Sequence, residues 1–421
     1  MQKYIYGILA LILFIKCGKD DITKDKNGVV ISQPPIWSIA QTDDDSLADN
    51  YYVRGTVIHE NKVLICGRKS TKKLVKSIDL NNGSLKWEWN DFIDPARDAF
   101  SIRFPYKKDN FLTFFYGYDA YKIDLNTGKS VIKQNRYEDF GLKAVGLGDI
   151  FLAAYLFNKD GALKGRGEIL VVDNNNFNII DKFQPKYDTT NSIPFNDGGY
   201  WSWAQAVPFM KNGETMAVVK SLDPPNARST VGNEWLGLYN LSKKQWVYER
   251  QKLKDQEPWG AGFPLIFNDH VYTDGVGWIS CHDLMTGNLI WKIKTPQGGS
   301  FISAGLLCAN QSIYANSDSG DLICLDASTG AVKWTIRSSG SSTPLSILNG
   351  VLYFVAGGDG KLHAVDAETG NYLWKIDSPD IGKNKWAIFY GLCAVVPGVG
   401  SAKGKIVVTT GLNAYCYEAI K

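Results

Sequence analysis

Four times along this 421-residue chain an Asp is followed by Gly four residues later and by Trp eight residues later: Asp79/Gly83/Trp87, Asp283/Gly287/Trp291, Asp326/Gly330/Trp334 and Asp366/Gly370/Trp374. Such a period constrains the fold more than any single residue, because a short repeated unit buries its apolar faces only by stacking on its neighbours. A fifth copy keeps the turn without the aromatic, as Asp124, Asn126, Thr127 and Gly128 with Ile132 in the Trp place. Weaker echoes fall at Asp173, at Asn240 with Trp246, and at Glu418, so the series has eight units spaced by 40 to 67 residues.

One unit reads as four strands. Leu345 to Leu348 is a short apolar run closed by Asn349 and Gly350, and Val351 to Ala356 is a second, closed by Gly357, Gly358, Asp359 and Gly360. Lys361 to Val365 forms the third strand, and Asp366 to Gly370 turns the chain into the fourth, Tyr372 to Ile376. Gly supplies the positive φ of the turn, and Asp accepts backbone N–H bonds there. The Trp sits on the fourth strand, where its large ring is expected to dock each sheet on the next. Third strands such as Leu322 to Leu325 are apolar at consecutive positions, as in sheets covered on both faces. Eight such units predict an all-β, eight-bladed β-propeller of four-stranded antiparallel blades.

The run Leu362 to Trp374, with the copies ending at Trp291 and Trp334, resembles the repeat of the pyrroloquinoline-quinone-type (quinoprotein-like) propellers. The similarity is strong over residues 260–376, good near 60–130, and carried by spacing alone over 140–250. The last unit, Asn413 to Ala419, has only Ile420 and Lys421 after it. Ile36, Trp37, Ser38 and Ile39 look like a fourth strand lacking its first three, so the N-terminal segment is expected to complete the C-terminal blade and close a monomeric ring over residues 34–421.

Ahead of that domain, Lys3, the apolar stretch Tyr4 to Ile15 and then Cys17 read as a lipoprotein signal over residues 1–16, with Cys17 the lipidated residue. Residues 17–33 are expected to be a polar tether. Gly18, Lys19, Asp20 and Asp21 resemble the signal that sends some lipoproteins to the cell surface; the alternative is the periplasmic face of the outer membrane. A net charge of +3, with no dense Lys/Arg block, argues against nucleic acid as a partner. Cys281, Cys324 and Cys416 stand two residues before the Asp of their repeat or its equivalent, a site asking for a small apolar group, so they are expected to be buried free thiols. For Cys66, Cys308 and Cys393 no pairing follows from sequence.

The resemblance raises one enzymatic possibility, a quinone-dependent dehydrogenase with calcium. Those enzymes are similar in their eight blades but are longer and carry adjacent cysteines over the cofactor; here there is no Cys-Cys pair and no C-x-x-C-H haem motif. No catalytic residue, cofactor or metal is therefore assigned. His59, His270, His282 and His363 never fall at metal-pair spacing, Gly398, Gly400, Gly404 and Lys405 miss the phosphate-loop spacing, and Asp43 to Asp45 lack the spaced ligands of a calcium loop.

The irregular stretch is about 188–236, with Tyr200, Trp201, Trp203 and Trp235. These rings either stack a glycan or anchor a partner protein, or else fill the core of a degenerate blade. The chain also resembles the propeller lipoprotein of the outer-membrane β-barrel assembly machinery. That resemblance implies a non-enzymatic, membrane-tethered scaffold for envelope proteins; a surface glycan- or small-ligand-binding module is the alternative.

Overall fold

The computed structural model describes residues 22–41, 56–69, 72–93, 103–116, 119–135, 140–155, 168–186, 203–223, 231–258, 262–296, 298–301, 305–340, 343–383, 387–390 and 393–420. They form eight antiparallel blades. Blades 1 to 7 take their four strands consecutively, over residues 57–89, 103–135, 140–183, 203–258, 265–294, 306–337 and 346–376. Blade 8 takes three strands from 394–418 and its fourth from Trp37–Ala40, which pairs Trp37 with Cys416 and Ala40 with Asn413. The chain is an eight-bladed β-propeller whose ring is closed by its N-terminal segment.

First strands of neighbouring blades touch around the axis, as in blades 2 and 3, 3 and 4, 5 and 6, 7 and 8, and 8 and 1. Fourth strands face outward. Each of the eight seams holds an apolar core built from both flanking sheets; that of blades 5 and 6, for example, combines Tyr272, Ile279 and Trp291 with Ile313 and Ile323. Cys281, Cys324 and Cys416 lie buried and free in these cores, and Cys308 and Cys393 are free thiols as well. Burial pushes the Cys281 and Cys416 thiols up to about 12.

The repeat residues work across the seams. In blade 6 the Gly330 N–H donates to the Asp326 carbonyl at 2.9 Å, and the Asp326 carboxylate accepts from the backbone N–H groups of Ser328 and Thr329 at 3.0 Å. Gly330 has φ +71°, and a Cβ there would stand 2.7 Å from the Trp291 ring of blade 5. Only Gly meets both demands. Trp291 Nε1 then donates to the Ala327 carbonyl at 3.0 Å, so the indole packs on the hairpin and is also hydrogen-bonded to it. The same arrangement joins Trp37 to Gly83 and the Leu80 carbonyl, Trp87 to Gly128 and the Leu125 carbonyl, and Trp334 to Gly370 and the Ala367 carbonyl.

The remaining seams fill the same two positions with other chemistry. Ile132 of blade 2 packs in the core containing Phe177, which takes the Gly place of blade 3 at φ +59°. Asp181, in the Trp place of blade 3, lies 3.1 Å from the Nζ of Lys244, in the Gly place of blade 4. On blade 4 it is Tyr248 that lies against Gly287, whereas Trp246 packs with Phe183 and Tyr239 in the seam behind. This corrects the pairing of Asn240 with Trp246: Tyr248 stands eight residues after Asn240 and pairs with Leu238 as Trp334 pairs with Cys324, so it is Tyr248, not Trp246, that holds the docking position.

Trp374 meets no following hairpin, because the fourth strand of blade 8 arrives from the other end of the chain. Instead Val30 pairs with Trp374 in parallel and shares its core. Val30–Ser32 and Thr23–Lys24 form a hairpin on the outer edge of blade 7, making that sheet six-stranded. The turn is closed by the Asp25 carboxylate, which accepts from the N–H of Asn27 at 2.8 Å and of Val29 at 3.0 Å. Much of the stretch expected to be a tether is thus docked on the ring.

The Asp hairpins make the ring acid-sensitive. The Thr286 hydroxyl and its backbone N–H hold the Asp283 carboxyl below the usual carboxylate range against partial desolvation, and the Ser328 hydroxyl, then Thr329, does so for Asp326. A folded-state value depressed below the unfolded one contributes stability that is fully present above the unfolded value, about 3.9, and is lost as pH falls through the folded one. The melting temperature is therefore expected to drop progressively below about pH 4, with Asp326→Asn flattening that dependence; a variant with the wild-type acid profile would contradict it.

Candidate functional site

Blade 4 differs from the others in strand length. Its strands, Trp203–Lys211, Glu214–Asp223, Val231–Asn240 and Gln245–Pro258, hold 9, 10, 10 and 14 residues, against 8 or fewer elsewhere. The extra length lies at the end opposite the Asn240 turn, so the blade projects on the face away from the Asp/Gly hairpins. It also accounts for part of the 67-residue interval: in the stretch expected to be an irregular insertion, the described residues from Trp203 onward are regular strand.

Of the four aromatic residues singled out there, Tyr200 and Trp201 lie outside the described residues. Trp203 opens the first strand opposite Leu222, which in turn faces Glu234, and Trp235 follows on the third strand between Ser221 and Lys252. The sheet thus brings 203 and 235 to one projecting edge. Trp235 is half-buried, with the Arg250 guanidinium 4.1 Å and the Lys252 Nζ 5.7 Å from its ring centroid.

A bulge aims the arginine. Leu236 pairs with Gln251 and Leu238 with Tyr248, which leaves Glu249 and Arg250 opposite Gly237, and Arg250 has φ +64°. A non-Gly residue in the left-handed region costs about 1 kcal/mol or more, and bulges recur where a side chain must be redirected. The two bulged residues also grip the exit from blade 3: Glu249 accepts from the Lys186 N–H at 2.6 Å, and Arg250 donates to the Lys186 carbonyl. Periodicity reads past such a feature; the clustered charges of Glu249, Arg250 and Lys252 are its one signal in the sequence.

Beneath this edge, Lys220 is sealed in the seam with blade 5. Its Nζ lies 2.9 Å from the Asp274 carbonyl, 3.4 Å from Asp274 Oδ1 and 4.0 Å from Glu234 Oε1, and all three side chains are 1% exposed. Removing the ammonium strands two buried carboxylates, so Lys220 fixes the base of the projection. Among the described residues His282 bonds within its own blade, to Ser280 Oγ at 2.9 Å and the Gly287 carbonyl at 3.1 Å, and His363 meets Asp359 at 3.1 Å.

The resemblance to quinone enzymes implies a metal ion held by acidic and amide ligands. Among the described residues no group of three or more His, Cys, Asp and Glu side chains is placed to hold an ion, and the buried carboxylates of Glu234 and Asp274 enclose an ammonium.

The family profile described as outer membrane protein assembly factor BamB matches residues 275–385, from the second strand of blade 5 to just beyond blade 7. The BamB of Bordetella pertussis is 27% identical over 122 residues, covering 28% of this chain and 31% of that protein. The dehydrogenase subunit of the quinone alcohol dehydrogenase of Gluconobacter oxydans is 27% identical over 169 residues, covering 34% of this chain and 22% of that protein. The chain thus spans less than a third of the length of these curated relatives. Among solved structures, BamB of Moraxella catarrhalis superposes with a TM-score of 0.59 at 12% identity, over 92% of this chain and 99% of that one, a likeness of fold.

Proposed function

Because the chain is a PQQ-type β-propeller similar to outer membrane protein assembly factor BamB, we propose that it is a non-enzymatic scaffold that binds proteins of the cell envelope, held at the outer membrane through a lipidated Cys17. The observation that carries the reading is the projecting edge of blade 4. Bulge, left-handed backbone and clamped Lys186 all hold Arg250 on the half-buried Trp235. An aromatic–arginine pair fixed on a rigid sheet has the composition of a protein-binding hot spot. A glycan-stacking role for Trp235 has less support, since the guanidinium occupies the ring face at 4.1 Å that a sugar would use.

Truncating such an anchor costs about 2 kcal/mol or more of binding, roughly thirtyfold in Kd. Tagged chain carrying Trp235→Ala or Arg250→Ala is therefore expected to lose its co-purifying outer-membrane assembly proteins, identified by mass spectrometry, while its melting temperature stays near wild type. Undiminished recovery of those proteins by both variants would refute the site. Gly18 to Asp21 support surface display of the anchored ring, and protease shaving of intact cells reads the leaflet.

A further inference from the structure

We propose that the outer rim of blades 7 and 8 is a membrane-contact surface, in which Ile22, Ile31 and Ile36 enter the lipid interface. The inference rests on the lipidation of Cys17 proposed above.

The first ground is reach. Since the chain is docked on blade 7 from Thr23 onward, only residues 18–21 separate Cys17 from Ile22. Five Cα–Cα steps span at most about 18 Å, where a free tether up to residue 33 would have spanned roughly three times that. The hairpin cannot stand clear of the lipid headgroups by more than this short leash.

The second ground is what the hairpin presents. Val30 and Trp37 point into the seams and are buried, while their neighbours Ile31 and Ile36 are 36% and 45% exposed and Ile22 is 59% exposed. Lys24 and Lys26 are exposed beside them, and the one carboxylate of the turn, Asp25, is engaged by the N–H groups of Asn27 and Val29. Branched apolar side chains flanked by lysines on a short leash suit the interface between headgroups and acyl chains. Exposed apolar residues also occur on other fourth strands, singly at Val131 and Val247 and in pairs at Ile179/Ile180 and Leu289/Ile290, but none of those strands adjoins the anchor. In an eight-bladed ring, blade 4 lies across from blade 8, so this contact stands the ring on its rim and sets the Trp235 edge on the side of the ring remote from the bilayer.

The test uses lipidated full-length chain in vesicles of phosphatidylethanolamine and phosphatidylglycerol. An environment-sensitive dye is placed on Ile36→Cys or, as the remote site, on Val247→Cys, and quenching by brominated lipid is read. Quenching and a blue shift are expected at 36 and not at 247. Inserting a twenty-residue Gly-Ser spacer after Gly18, or combining Ile22→Ser with Ile31→Ser, is expected to abolish the quenching. Detergent-phase partition reads the anchor separately: aqueous partition of wild-type chain overturns the lipidation and this proposal with it. Detergent partition without quenching at 36, or with equal quenching at 247, overturns the membrane contact alone.

Discussion

Deleting residues 34–40 is expected to give an aggregating chain rather than a smaller ring. The deletion removes the fourth strand of blade 8, from Trp37 opposite Cys416 to Ala40 opposite Asn413, and with it the Ile36 N–H bond to the Cys416 carbonyl at 2.7 Å. It also empties a seam, because Trp37 packs on Gly83 and donates to the Leu80 carbonyl at 2.9 Å. Asn413–Glu418 then becomes an open edge lined by apolar residues, the feature that recruits strands from other chains. Size-exclusion chromatography and thermal melting decide the matter. A monomer as stable as wild type would refute closure by this strand.

Trp291→Ala is expected to destabilise the ring by about 3–5 kcal/mol, the range for removing a buried Trp and leaving a cavity. The side chain is 9% exposed, packs with Tyr272 and Phe301, and bonds the next blade through its indole N–H. The seam of blades 3 and 4 sets the contrast. There the equivalent contact is the ion pair of Asp181 with Lys244, whose side chains are 26% and 65% exposed, and a pair so solvated contributes about 0–1 kcal/mol. Asp181→Ala should therefore barely move the denaturant midpoint. Equal losses in the two variants would show that seam chemistry does not set seam strength.

The parts of this fold that could be read from the chain are those written in local chemistry. Asp326, Gly330 and Trp334 carry their geometry in a nine-residue window: a carboxylate for the turn, a residue free of Cβ, and a ring for the neighbour. Eight units and the return of Trp37 follow from counting such windows. What escaped depends on pairing between distant residues. Phe177 keeps the left-handed turn of blade 3 without Gly, held by the surrounding core, and Tyr248 takes the Trp place of blade 4 at the regular spacing while the nearby Trp246 packs in the seam behind. The docking of residues 23–32 was hidden as well, since a mostly polar stretch with one short apolar run, Val29 to Ile31, looks like tether until Trp374 is seen to lack a hairpin. In the candidate site, the aromatic residues were visible by composition, whereas Arg250 emerged only with its bulge.

The pairing of Trp37 with Cys416 also has a kinetic meaning. These positions are 379 residues apart, so the contact that closes the ring carries nearly the largest loop-closure cost the chain can present, and it is not rewarded until blade 8 exists to receive it. Synthesis delivers Trp37 first and its partner last. Until blade 8 forms, the segment around Trp37 has no strand to pair with, which places completion of the propeller at the end of folding.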